Sequence, residues 1–134
     1  MNPIIRPGLG HRHLWFCLGL VMAAMIAAAS LVPASNLPAI GLSDKLEHAM
    51  AYALLAFWFA SVVVRRDFLA LIVALVAFGG LIELAQDWMH LGREAELTDL
   101  MADVAGIVVG VTLAATPLGT WAYRIESLLR RIGA

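Results

Sequence analysis

A single cysteine, Cys17, rules out an intramolecular disulfide framework in this chain of 134 residues. Charge is nearly as scarce, at 14% of residues against roughly 25% in an ordinary soluble domain. The short strings that announce catalysis are missing too: there is no HExxH, no GxSxG and no glycine-rich phosphate loop. No internal repeat or low-complexity segment occurs, and the apolar runs lack the inverted repeat and broken helices of a transporter. Nothing supports nucleic-acid binding. What fills the chain is apolar, with 62% hydrophobic residues and a mean hydropathy of +0.87. A soluble fold this small leaves much of its area in water and could not hide so much apolar surface. The solvent must be lipid, so the expectation is a single membrane domain over residues 1–134.

Four apolar stretches, about 14–33, 45–64, 68–88 and 99–121, set the predicted spans. A helix rising 1.5 Å per residue needs about 20 residues to cross a hydrocarbon core about 30 Å thick. The third stretch reaches that length only by carrying Glu83 and Gln86 in its final turns. The connections are short. Pro33, Asn36, Pro38 and Gly41 break the chain after span one, and Arg65, Arg66 and Asp67 turn it between spans two and three. A polar loop from Gly92 to Thr98 leads into span four. Ser43 or Asp44 can cap span two, with Glu47 placed as in a capping box, and Thr98 or Asp99 can cap span four. Short links make consecutive helices antiparallel neighbours. The predicted fold is therefore all-α: an antiparallel four-transmembrane-helix bundle.

Arg6 and Arg12 precede span one, Arg65 and Arg66 lie between spans two and three, and Arg124, Arg130 and Arg131 follow span four. Four spans put these on one side and leave only Lys45 and Arg93 on the other. The positive-inside rule makes the basic side cytoplasmic, with both termini inside. Span one also resembles a secretory signal, but it is long for a signal core and its removal would spoil this asymmetry. After span four, Trp121, Ile125, Leu128, Leu129 and Ile132 form a helical apolar stripe, while Arg124, Glu126, Arg130 and Arg131 occupy the remaining surface. That pattern predicts a short amphipathic helix on the inner leaflet.

The polar residues that enter the spans all lie at their outer ends. Asp44, His48 and Tyr52 follow one another at i, i+4 spacing on span two, beside Lys45. Glu83 and Gln86 share a face of span three with His90, Asp99 and Asp103 are i, i+4 on span four, and Arg93 lies in the loop above. An ionised group in a bilayer costs several kcal/mol, so such residues face a bundle interior or a wet cavity. They read either as a polar lock between helices or as a small pocket open to the outside. Gly106 and Gly110 form a GxxxG on the Asp103 face, suited to close packing against span two or three more than to dimerisation.

The string Asp44-Lys45-x-x-His48-x-x-x-Tyr52, then Glu83-x-x-Gln86, Arg93, and Asp99-x-x-x-Asp103-x-x-Gly106-x-x-x-Gly110 resembles the VanZ-like family of small bacterial membrane proteins. The resemblance covers about half the chain, and it is the ensemble that is specific. One position departs: where the usual motif has Asn, this chain has Asp103, which deepens the negative charge of the site. The resemblance implies a bacterial inner-membrane protein of the cell envelope, linked in some members to reduced glycopeptide susceptibility. It supplies no reaction.

The function read from these residues is binding of an envelope-related ligand, of lipid or glycan type, in the outer polar pocket. The alternative is an enzyme acting on a lipid-linked or cell-wall substrate with His48 and Glu83 as acid and base. A metal site from His48, Glu83, Asp99 and Asp103 is chemically conceivable but not assigned, and neither is a cofactor or an oligomeric state.

Overall fold

The computed structural model describes residues 4–32, 43–89 and 96–132. These form five α-helices: α1 (Arg12–Ser30), α2 (Asp44–Val62), α3 (Phe68–Met89), α4 (Leu97–Ala114) and α5 (Trp121–Ile132). Among the described residues the extended chain pairs only at Ile5 and Val63, where the N-terminal segment meets the end of α2. The starts of α2 and α4 gather with the ends of α1 and α3 at one pole, the polar end. The opposite pole, the basic end, carries Arg6, Arg65 and α5.

α2 is the helix about which the others pack. Its residues Tyr52, Leu55, Ala56 and Phe59 are buried with Leu75 of α3 and Ile107 of α4 in the main core. Its closest partner is α4, which runs parallel to it although α3 intervenes in sequence. Gly106 and Gly110 make this approach possible. A Cβ at Gly106 would collide with the Ala49 carbonyl, and one at Gly110 with the Ala53 carbonyl. Backbones this close leave no room for a side chain at these two positions, the kind of seam that lets helices associate through dispersion and weak backbone contacts. α1 packs more loosely. It meets α2 through Phe16 against Phe59, with ring centres 5.4 Å apart, and Gly19 is its one buried residue.

Among the described residues three segments are long and apolar enough to cross a membrane: Arg12–Ser30, Arg65–Met89 and Leu97–Ala114, with mean hydropathies of 1.8, 2.5 and 1.7. α2 is not among them, because Asp44, Lys45, Glu47 and His48 fill its first turns. Enclosure by the other helices, rather than its own hydropathy, shields it. The outward faces of α1, α3 and α4 carry exposed Leu20, Met25, Leu69, Leu81 and Val108, the arrangement expected where lipid is the solvent.

Both ends of α4 differ from the sequence expectation. α4 ends at Ala114 instead of continuing to 121, because Pro117 lacks an N–H and restricts Thr116 to an extended conformation. Thr116 then accepts the Leu118 N–H and starts a short 3-10 turn. α4 also starts earlier, at Leu97, with Glu96 in the cap position, so Thr98 and Asp99 lie in its first turn and do not cap it. At α2 the cap is Ser43, whose hydroxyl accepts the Leu46 N–H.

The third correction concerns α5. The sequence pattern puts Glu126 with the arginines on the surface left by the apolar stripe, yet it is buried, as is Ala122. α5 turns this edge toward the N-terminal segment, leaving Ile125, Leu128, Leu129 and Ile132 exposed.

Candidate functional site

The parallel register of α2 and α4 builds the polar end residue by residue. One turn before the glycine seam, His48 Nδ1 lies 2.9 Å from Asp103 Oδ1, and both side chains are buried. A further turn out, Lys45 Nζ donates to Asp99 Oδ1 at 3.1 Å and to Glu96 Oε2 at 3.0 Å. The i, i+3 spacing of Lys45 and His48 on α2 and the i, i+4 spacing of Asp99 and Asp103 on α4 therefore stack two pairs, an enclosed imidazole–carboxylate pair below and a half-exposed ion pair above. Glu96 lies outside the spans, and the hydrogen bonds from Lys45 and Thr98 hold its carboxyl below the ordinary glutamate range.

α3 supplies the third wall. Glu83 is 6% exposed, and its Oε2 accepts the Glu96 backbone N–H at 3.0 Å. That bond ties α3 to the cap residue of α4 and satisfies one of the donors a helix N-terminus leaves open. One turn deeper, Gly79 leaves space beside Asp103 Oδ2 and the Tyr52 hydroxyl, both of which a Cβ there would crowd. Gln86 points elsewhere: its amide donates to the Ser30 carbonyl at 2.8 Å and holds the end of α1. Asp44, exposed at the start of α2, brings a carboxylate oxygen within 4.8 Å of His48 and Asp99. Arg93 and His90 lie outside the described residues.

Two polar atoms in this cluster have no hydrogen-bond partner among the described residues: Tyr52 OH and Glu83 Oε1. Both are enclosed, with Tyr52 only 2% exposed. A buried polar group left unpaired costs about 1–3 kcal/mol, more for a charged one, so native interiors seldom tolerate two together. Comparisons with protein families, curated proteins and solved structures return no match. The chemistry must be read from the geometry.

Among the described residues two openings reach the cluster. A cleft of about 140 Å³ separates the end of α1 from the start of α2, between Ile26, Ala29 and Ser30 on one side and Glu47, His48 and Tyr52 on the other. A wider groove of about 600 Å³ runs between α3 and α4, walled by Gly80, Leu81, Leu84, Leu97 and Leu100, with Glu83 and Glu96 among its lining. Its apolar walls lie on the outward faces of both helices.

Sequence reasoning missed a buried carboxylate at the other end of the molecule. Glu126 Oε2 accepts the Gly10 N–H at 2.8 Å, and Oε1 accepts the His11 N–H at 2.9 Å and the Trp15 indole N–H at 2.8 Å. It thereby closes the start of α1. Burial pushes this carboxyl up, but those bonds and nearby His11 outweigh burial and hold it below the ordinary value. The available signal was Glu126 itself, one acid on a helix otherwise charged by arginine.

Proposed function

We propose that this chain is a bacterial inner-membrane protein of four spans, with both termini cytoplasmic, whose outer polar end binds a lipid-type ligand of the cell envelope. α2 crosses as the fourth span because its polar residues gather at one end and its middle is enclosed by the other three helices. Orientation rests on the Lys and Arg distribution. The likeness to the VanZ-like family points the same way, toward the envelope and glycopeptide susceptibility.

The observation that carries the reading is the pair of orphaned atoms, Tyr52 OH and Glu83 Oε1, around the His48–Asp103 pair. A purely structural network would be closed on itself. Among the described residues this one leaves a donor and an acceptor open, which supports binding of a further partner. Glu83 also lines the groove between α3 and α4, which favours a ligand with an acyl or isoprenyl chain over a free glycan. A polar head could reach Glu83 while its chain lies against Leu81, Leu84 and Leu97. A second reading, an enzyme on a lipid-linked substrate, is favoured by His48, which Asp103 orients as a general base would be oriented.

The test is purification of the full chain in mild detergent with mass spectrometry of bound lipid, for the wild type and Glu83→Gln. A lipid species enriched in the wild type and lost from the variant is expected. Identical lipid profiles would remove the binding reading. Reporter fusions at Asn36 and Glu94 should report the outside and one at Arg66 the inside, and a cytoplasmic signal at Glu94 would overturn the topology.

A further inference from the structure

We infer that the buried cluster of His48, Glu83 and Asp103 is a binding site for one divalent transition-metal ion, of the zinc or manganese class. Each of the three side chains presents a ligand atom, and these atoms lie within 4.8 Å of one another. The three come from different helices, α2, α3 and α4, and all are buried. A tetrahedral ion with ligands about 2.0–2.2 Å away spaces them roughly 3.3–3.5 Å apart, so rotamer adjustments bring this triad to coordination distance. One imidazole and two carboxylates form a mixed N and O set that suits borderline divalent ions better than calcium or magnesium.

Charge makes the same case independently. Two carboxylates, Glu83 and Asp103, are enclosed with His48. Among the described residues the nearest fixed cation is Lys45, and its ammonium is already shared by Asp99 and Glu96. Burying carboxylates without opposing charge is strongly unfavourable, and a bound dication supplies that charge at the centre of the group. Glu83 adds a direct indication of a missing partner. The residue is only 6% exposed, yet among the described residues its Oε1 meets no donor while Oε2 is engaged by Glu96. The Tyr52 hydroxyl, also unpaired, stands next to Asp103 and is placed to bond to a metal-bound water or a ligand oxygen. Three protein ligands leave coordination positions open, as in metal sites that engage a further molecule.

This inference deepens the ligand-binding reading and rests on the same cluster, but the two fail separately. Full-length protein in detergent is stripped with chelator, then titrated with zinc chloride or manganese chloride and analysed for bound metal. The wild type is expected to retain one ion per chain and to melt at a higher temperature when loaded. His48→Ala, Glu83→Gln and Asp103→Asn should each weaken binding by at least about tenfold, the scale of loss seen even for residues behind the ligands. Asp44→Asn should bind as the wild type does, which separates this triad from the more exposed group of Asp44, His48 and Asp99. If a triad variant does not fold, stoichiometry and the melting shift of the wild type still decide. No retained ion and no melting shift in the wild type would overturn the site, as would full binding by folded Glu83→Gln. Metal loss with the lipid still bound would remove the ion and leave the lipid reading intact.

Discussion

Glu83 and Glu126 are both buried glutamates, one at each end of the molecule, and they are treated in opposite ways. Glu126 receives three N–H donors on its two oxygens, from Gly10, His11 and Trp15. Glu83 receives one, from the Glu96 backbone, and its other oxygen meets none among the described residues. The first arrangement is a lock. It fastens α5 to the start of α1, beneath the cluster of Trp15, Trp58 and Trp121. The second is a socket, because an unpaired acceptor beside a histidine and a second carboxylate has bonding capacity to spare. Among the described residues the basic end also has two unpaired atoms, Asp67 Oδ2 and Trp121 Nε1, but neither belongs there to a group of metal-ligand side chains. Burial alone therefore does not separate structure from function in this chain. The degree to which a buried group is already satisfied does.

The largest effect should come from breaking the lock. Glu126→Ala strands the three donors, and with hydrogen bonds to charged groups each worth about 1.5–3 kcal/mol and partial rescue by water, a loss of about 2–4 kcal/mol is expected. Chemical unfolding in detergent measures it, and a change below about 1 kcal/mol would show that the lock is ornamental. The same bonds set a pH dependence. The folded carboxyl titrates below the ordinary value of 4.5, so its stabilisation is fully present above that value. It fades as the pH falls toward the folded value, because the unfolded chain takes up its proton first. Melting scans should show this acid loss in the wild type and a flatter profile in Glu126→Gln.

The next effect tests what holds the polar end together. The closest contact there is the backbone seam of Gly106 and Gly110 against Ala49 and Ala53. Gly106→Ala puts a methyl group against the Ala49 carbonyl and must push α4 away from α2, at about 1–3 kcal/mol for overpacking of this kind. A lowered melting temperature is expected. If Gly106→Ala melts like the wild type, the seam is slack and the polar pairs must carry the end instead.

The asymmetry between lock and socket was only half legible in the sequence. The outer cluster could be read because carboxylates and a histidine interrupt long apolar runs, and i, i+4 spacing fixes which of them share a face. Glu126 could not be read the same way. In an amphipathic segment the periodicity of Trp121, Ile125 and Leu128 separates an apolar side from a polar one, but it does not say which side meets protein. Here Trp121 packs inward, the rest of the apolar stripe is left exposed and the edge with Glu126 turns inward, a choice made by distant donors at Gly10, His11 and Trp15. The early stop of α4 was written in Pro117, which hydropathy alone runs across. The central place of α2 was hidden for a related reason: its closest partner, α4, is parallel and two helices away, beyond what short antiparallel links suggest.

The smallest effect on stability carries the sharpest test. Glu83→Gln keeps the shape of the side chain and an oxygen that can still accept the Glu96 N–H. The new amide takes the place of the unpaired Oε1 and can donate toward the carboxylate of Asp103. In chelator-treated protein the substitution therefore removes a poorly compensated charge without stranding a donor. Its effect on unfolding should lie within about 1 kcal/mol of zero, whereas a member of a closed buried ion pair would lose about 3–5 kcal/mol. The two ends can thus be compared in a single experiment, with Glu126→Gln and Glu83→Gln unfolded under identical conditions. The conservative change at Glu126 removes half the acceptor capacity that three donors use, so it should destabilise clearly. The same change at Glu83 should not. If Glu83→Gln melts as early as Glu126→Gln, Glu83 is a second lock, and any lost lipid or lost envelope phenotype would follow from lost protein. If it melts with the wild type while lipid and metal are lost, the socket is a binding site.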